Sequence, residues 1–200
     1  DKLSRWKQNP GKQIRLISVC SLVRLKNIDC SLRALSRLAK EIDWHYTIIG
    51  EGEERPHLEK LAAGLHIKSR VTFAGHKARE DAIAGMKRSH IFIMVSAPET
   101  FGMVYLEAMA AGTIVIGAKG FGIDGVIENK KNGFLCTPGD EEDIRQTLDI
   151  IIKTASKKEL EDMLVSSHDT VQGYTIEKAA SNYLENIKKR IQESGVRSRK

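Results

Sequence analysis

Short apolar runs rich in β-branched residues recur along this chain, and most gaps between them are long enough for one amphipathic helix. That alternation restricts the fold more tightly than any other feature of the sequence. The runs are IRLISVC (14–20), WHYTIIG (44–50), RVTFAG (70–75), HIFIMVS (90–96), TIVIGA (113–118) and the shorter GFLCTP (133–138). Each reads as a buried strand. After the first, IDCSLRALSRLAKEI (28–42) sets Ile28, Leu32, Leu35 and Leu38 three or four apart, which is helical spacing. Further helices are expected over 53–65, 78–89, the segment opened by Phe101 and Gly102, 139–153 with Asp140 as N-cap, and 175–191. The alternation predicts βαβ units: an α/β, Rossmann-like, doubly wound parallel sheet of about six strands with helices on both faces.

Two hundred residues suit one such domain. No uncharged run approaches the ~18 residues needed to span a bilayer. The opening DKLSRWKQNPGKQ (1–13) is polar and basic, so it is read as linker and not as a signal peptide. The chain starts at Asp1 without an initiator Met, which fits a fragment of something longer. Cys20, Cys30 and Cys136 are widely spaced and odd in number, so they are expected as ordinary thiols of a reducing compartment. The net charge of +6 is mild and implies no nucleic-acid partner. Six of the last thirteen residues are Lys or Arg; this reads as a solvated helix end, with contact to an anionic membrane surface as the minority reading. The six histidines show no HxxxH or HExxH spacing, so no metal site is expected. The acidic GDEED opens a helix, where Asp and Glu stabilise the dipole.

In open parallel sheets, ligands bind outside the carboxyl ends of the strands, where the first N–H groups of the following helices point outward. The exit of the fourth strand, SAPETFGMVYLEAMAAG, carries Glu99 and, eight residues on, Glu107, with Gly102 between them. Gly102 lets a ligand approach the backbone, and a carboxylate suits a sugar diol because it accepts two hydroxyl hydrogen bonds. The alternative makes Glu107 a solvent-facing helix residue and Glu99 a loop charge. At the exit of the first strand, Lys26 stands near the start of a helix, a good place to receive a diphosphate; it also reads as a solvated loop lysine. Arg24 joins it or points to water. Gly50 and Gly52 in IIGEGEE lack the full dinucleotide fingerprint and suit a tight turn beside the ligand. Gly75 and His76 close the third strand, where backbone groups are expected free to read the edge of a base.

SAPETFGMVYLEAMAAGTIVIGA resembles the E-x7-E signature of retaining glycosyltransferases of family 4, which have the GT-B fold. LISVCSLVRLKNID, YTIIGEGEERPHLEKLA, VTFAGHK and NGFLCTPGD resemble further family motifs in the same order, from Arg15 to Lys153. The resemblance implies that Glu99 contacts hydroxyls of the donor sugar and Glu107 the ribose of the nucleotide. It implies that backbone at Phe101, Gly102, Met103 and Val104 holds the diphosphate and sugar, and that Lys26 neutralises the departing diphosphate. Ser21, Arg24, Gly50, Gly52, Gly75 and His76 complete the expected donor site.

What the resemblance implies is metal-independent, retaining transfer of a hexosyl group from a UDP-, GDP- or ADP-sugar to a glycan or lipid-linked acceptor. No cofactor is expected. The expected place is the cytoplasm, with the inner membrane face as the minority reading. Three departures stand out. Ser21 occupies the place of a phosphate-binding Arg, Ile114 that of a Pro, and residues 122–125 differ from the usual G-G-x-P-E. Only one set of strands is present, so the chain is expected to be the C-terminal, donor-binding half of a two-domain enzyme, with little turnover alone. Its parts would be a linker (1–13), the donor domain (14–174), a helix (175–193) and a basic tail (194–200). The alternatives are a non-catalytic nucleotide- or sugar-binding module, a flavodoxin-like regulatory domain, and a GT-B sugar-nucleotide epimerase or phosphorylase.

Overall fold

The computed structural model describes residues 13–100 and 102–174. Residues 1–12 of the expected linker, Phe101, the expected helix at 175–193 and the basic tail lie outside the described residues. Six parallel strands form one sheet: β1 (Ile14–Val19), β2 (Trp44–Ile49), β3 (Val71–Gly75), β4 (Ile91–Ile93), β5 (Ile114–Ala118) and β6 (Phe134–Cys136). Their order is β3-β2-β1-β4-β5-β6, so the chain reverses direction across the sheet between β1 and β4. The helices are α1 (Ile28–Ser36), α2 (Arg55–Gly64), α3 (Arg79–Arg88), α4 (Met103–Ala111), α5 (Glu141–Asp149) and α6 (Lys157–Gly173).

Alternate residues of each strand serve opposite faces, which is why the strands read as continuous apolar runs. Leu16, Ile91, Ile93, Ile114 and Ile116 pack with α1, α2, α5 and the first turns of α6. Ile17, Phe92 and Val115 pack with α3 and α4 on the other face. All eight are at most 1% exposed, and each contributes roughly 1.5–3 kcal/mol of burial.

Several expected elements are shorter in the structure, among them the first helix and the fourth strand. The first helix regularly ends at Ser36, although Leu38 and Ile42 stay buried beyond it. The fourth strand ends at Ile93; Met94 N still donates to Ile116 O of β5, and the chain leaves the ladder after it. The carbonyls of Ile93, Met94 and Val95 accept hydrogen bonds from the side chains of Ser18, Tyr105 and Asn27 instead. Helix α6 is absent from the sequence expectations, yet Ser156 and Glu159 form a reciprocal capping box at its start. Asp140 does cap α5, accepting from the N–H groups of Glu142 and Asp143. All three cysteines are free thiols; burial pushes Cys20 and Cys136 up to about 12 and Cys30 to about 11.

The loops after β1 and β2 lie backbone to backbone. Leu22 N donates to Glu51 O and Glu54 N to Leu22 O. A Cβ on Gly52 would stand 2.2 Å from Leu22 O, and one on Gly50 would stand 1.8 Å from Cys20 O. Both glycines are therefore required by the packing of the two loops. Gly52→Ala should cost about 1–3 kcal/mol in urea unfolding, the usual range for forcing extra volume into a packed site. Gly64→Ala, with open space around the added methyl, should instead be neutral or stabilise by up to about 1 kcal/mol.

Candidate functional site

The reversal between β1 and β4 splays their exit loops apart and leaves a crevice at the carboxyl edge of the sheet. From the β1 side a short 3-10 turn, Arg24–Lys26, ends at Asn27, whose left-handed backbone (φ 50°) starts α1. Asn27 Nδ2 donates to Val95 O across the junction, and Ala97 N donates to Leu25 O. These two bonds tie the β1 loop to the β4 loop and bring Lys26 against Glu99. Lys26 Nζ lies 2.6 Å from Glu99 Oε2, and each side chain is only 15% exposed. Two charges so far removed from water require each other, because an unpaired one would bear the full cost of desolvation.

Glu99 has further partners. Ser96 Oγ donates to its Oε2 over 3.0 Å and Thr100 N to its Oε1 over 3.2 Å. Burial pushes the Glu99 carboxyl up; the hydrogen bonds from Lys26 and Ser96, the Lys26 charge and the Thr100 N–H outweigh it and hold the group below the usual carboxylate range. Glu99 and Thr100 form one wall of an open cleft of about 680 Å³; Gly120, Phe121, Gly122 and Asp124 form the other. Gly122 N donates to Glu99 O over 3.1 Å, and Asp124 Oδ2 accepts from Gly120 N over 2.5 Å. The loop at 122–125 thus faces Glu99 directly.

Gly102 caps α4 with left-handed backbone (φ 70°), a conformation strained for other residues. Its missing Cβ would also strike the Tyr105 ring at 2.5 Å, so packing from below demands glycine as much as access from above. Met103 is exposed and Val104 half-buried at the first turn. Glu107 is 24% exposed and pairs with Arg79 at the start of α3, 2.7 Å away. It therefore faces a helix–helix edge with a cationic partner. The sequence reading missed Arg79, Ser96 and Tyr105; Arg79 carries no motif, and the other two matter only through contacts made in three dimensions.

The remaining expected residues distribute unevenly. Ser21 and Arg24 stand exposed on the β1 loop, and His76 is exposed after β3. Gly75 has left-handed backbone (φ 72°), and its carbonyl accepts from Gly50 N. The expectation that this carbonyl stands free is corrected accordingly: it knits the β2 and β3 exits together. Gly50 and Gly52 meet the β1 loop as described. Among the described residues, no group of three or more His, Cys, Asp or Glu side chains is placed to hold a metal ion. No helix there is long and apolar enough to cross a membrane.

The family described as glycosyl transferases group 1 matches residues 1–165. N-acetyl-alpha-D-glucosaminyl L-malate synthase of Bacillus anthracis is 33% identical over 126 residues, 62% of this chain and 32% of that protein. Lipopolysaccharide core biosynthesis glycosyltransferase LpsE of Rhizobium meliloti is 29% identical over 79% of this chain and 44% of its own length. The chain therefore spans less than half of either relative. Among solved structures, Anabaena Alr3699/HepE in complex with UDP and glucose superposes with a TM-score of 0.76 at 22% identity, over 94% of this chain and 52% of that one. The C-terminal domain of a glycosyl transferase group 1 family protein (LpcC) from Francisella tularensis superposes with a TM-score of 0.72 at 26% identity, over 86% of this chain and 92% of that domain.

The ion pair makes a pH prediction. Because the Glu99 carboxyl titrates lower in the folded protein than its ordinary value of 4.5, the pair stabilises above that pH and ceases to as pH falls through the folded value. At pH 7 the Tm of the protein should exceed that of Glu99→Gln. The gap should narrow as pH falls below 4.5 and close only below the lowered folded value, where both carry a neutral side chain. A difference that persists unchanged into acid would show that Glu99 contributes through packing alone.

Proposed function

The chain belongs to the glycosyl transferases group 1 family, and from that premise we propose that it is the donor-binding half of a retaining, family 4 glycosyltransferase. The observation that carries this reading is the convergence of Lys26 and Glu99, from opposite sides of the β1/β4 reversal, beside an open cleft. A diphosphate and a sugar need a cation and a hydroxyl acceptor side by side, and this pair supplies both. HepE, whose fold this chain shares, has been solved with UDP and glucose, which is consistent with a nucleotide-sugar ligand here.

In this reading the donor lies along the carboxyl edge of the sheet. Glu107 accepts hydrogen bonds from the ribose hydroxyls, and Arg79 keeps its carboxylate oriented. Backbone N–H groups at Gly102, Met103 and Val104, at the positive end of α4, receive the diphosphate. Glu99 accepts from sugar hydroxyls. Lys26 turns from Glu99 to the diphosphate and stabilises the negative charge that grows there as the glycosyl bond breaks. Transfer is metal-independent, retains the anomeric configuration and passes a hexosyl group to a glycan or lipid-linked acceptor. Ser21 provides a hydroxyl in place of a phosphate-binding Arg, and Arg24 on the same loop supplies a second positive charge.

We assign residues 14–174 to the donor domain, with the helix expected from the sequence at 175–193 and the basic tail at 194–200 as its extension. The likeness to an isolated C-terminal domain, LpcC, over 92% of its length supports that division. Acceptor binding belongs to the other half of such an enzyme, so this domain alone should bind nucleotide and turn over little.

Calorimetric titration with UDP, GDP and ADP tests the reading. One nucleotide should bind saturably, and Glu107→Ala should weaken it by about 1–3 kcal/mol, the cost of losing hydrogen bonds to a charged group. Glu99→Ala should leave that nucleotide's binding intact and weaken only its sugar ester. Absence of binding by all three nucleotides would overturn the donor-site reading.

A further inference from the structure

Beneath Glu99 lie two hydroxyls to which the proposed reaction gives no role. Ser96 and Tyr105 are both fully buried, one just past β4 and the other in the first turn of α4. Tyr105 Oη donates to Met94 O over 2.7 Å. Ser96 Oγ approaches Tyr105 Oη at 3.3 Å and Glu99 Oε2 at 3.0 Å. Each hydroxyl has a single proton to donate. With the tyrosine's directed to Met94, its oxygen serves as an acceptor for the Ser96 backbone N–H and so holds that residue in place, while the serine's own hydroxyl proton is drawn to the charged carboxylate, since charge-assisted hydrogen bonds are the stronger kind. Ser96 is thereby oriented one way, toward Glu99.

The tyrosine is itself held firmly. Its ring meets Phe92 edge to face, with centroids 5.7 Å apart, and supports the backbone of Gly102 from below. One buried side chain thus underlies both the carboxylate and the helix-capping turn.

We propose that Ser96 and Tyr105 are positioning residues that set the preference of this site for a sugar-bearing nucleotide over the bare nucleoside diphosphate. The proposal rests on the reading of Glu99 as the sugar contact and Lys26 as the diphosphate contact. In this structure Glu99 holds Lys26 at 2.6 Å. A bare diphosphate must draw the lysine away and offers the half-buried carboxylate nothing in return. A nucleotide-sugar offers hydroxyls in exchange, provided the carboxylate stays where Ser96 and Tyr105 fix it. Loosening that support lowers the gain from the sugar and leaves Lys26 easier to capture. Neither residue touches the donor; both act through Glu99.

The test is calorimetric, on the protein and its Ser96→Ala and Tyr105→Phe variants, each of which removes one hydroxyl and keeps the carbon frame. The ligands are UDP with UDP-glucose, GDP with GDP-mannose, and ADP with ADP-glucose. For the pair that binds, preference for the sugar-bearing member should fall about three- to tenfold in each variant. The affinity of the bare diphosphate should be unchanged or higher. Thr113→Val serves as the control: it removes a buried hydroxyl bonded to Ala108 O away from the cleft, and should lower stability without moving the ratio. Proportionate weakening of both ligands in Ser96→Ala and Tyr105→Phe would mark a merely structural role and overturn the inference alone. Failure of the unaltered protein to bind any of the six ligands would overturn the donor reading, and this inference with it.

Discussion

Leu16 pairs with Ile91 and Ile17 with Phe92, and that parallel junction between the first and fourth strands governs the rest of the molecule. It is the point where the chain stops adding strands to one edge and begins adding them to the other. Two neighbouring loops must therefore diverge there, and their backbone groups need other partners. Ser18, Asn27 and Tyr105 supply them by binding successive carbonyls of residues 93–95. The crevice is thus a consequence of the topology, and its walls are secured by side chains in place of a ladder.

Charge is distributed over the site in two unequal pairs. Lys26 and Glu99 are mostly shielded from water and depend on each other. Arg79 is 71% exposed while Glu107 is 24% exposed, so that pair is screened on its cationic side and holds its carboxylate more loosely. The contrast fits the division of labour proposed for them. In that proposal the partner that changes during the chemistry is the enclosed one, and the partner that steadies a ribose contact is the one at the rim.

The glycines of the exit loops show how packing and access coincide. Gly50 and Gly52 permit the β1 and β2 loops to lie against each other, and this contact anchors the loop that carries Lys26. Gly102 serves the turn that opens α4, and Tyr105 closes off the space beneath it. A phosphate-loop interpretation of IIGEGEE is not needed to explain its glycines, because the neighbouring backbone explains them.

The sheet and its parallel sense were legible in the sequence, because they depend on local periodicity, and Lys26, Glu99 and Glu107 stood out as candidates because they cluster in two short segments at strand exits. Ile28, Leu32 and Leu35 mark α1 through their spacing alone, and Asp140 marks the start of α5 through position alone. The end of β4 was not legible, since it depends on carbonyl partners drawn from Ser18, Asn27 and Tyr105, up to seventy-five residues away in the chain. The pairing of Lys26 with Glu99, 73 residues apart, and of Arg79 with Glu107, 28 apart, was equally hidden. Helix α6 is marked locally by its Ser156–Glu159 capping box, a signal in the sequence that needs no long-range contact. What the sequence determined by itself is which segments become strands and helices, and which residues offer charge and hydroxyls at their ends. Only the tertiary structure decided which of those groups neutralise each other, because desolvation forces buried charges to find partners wherever the fold brings them together.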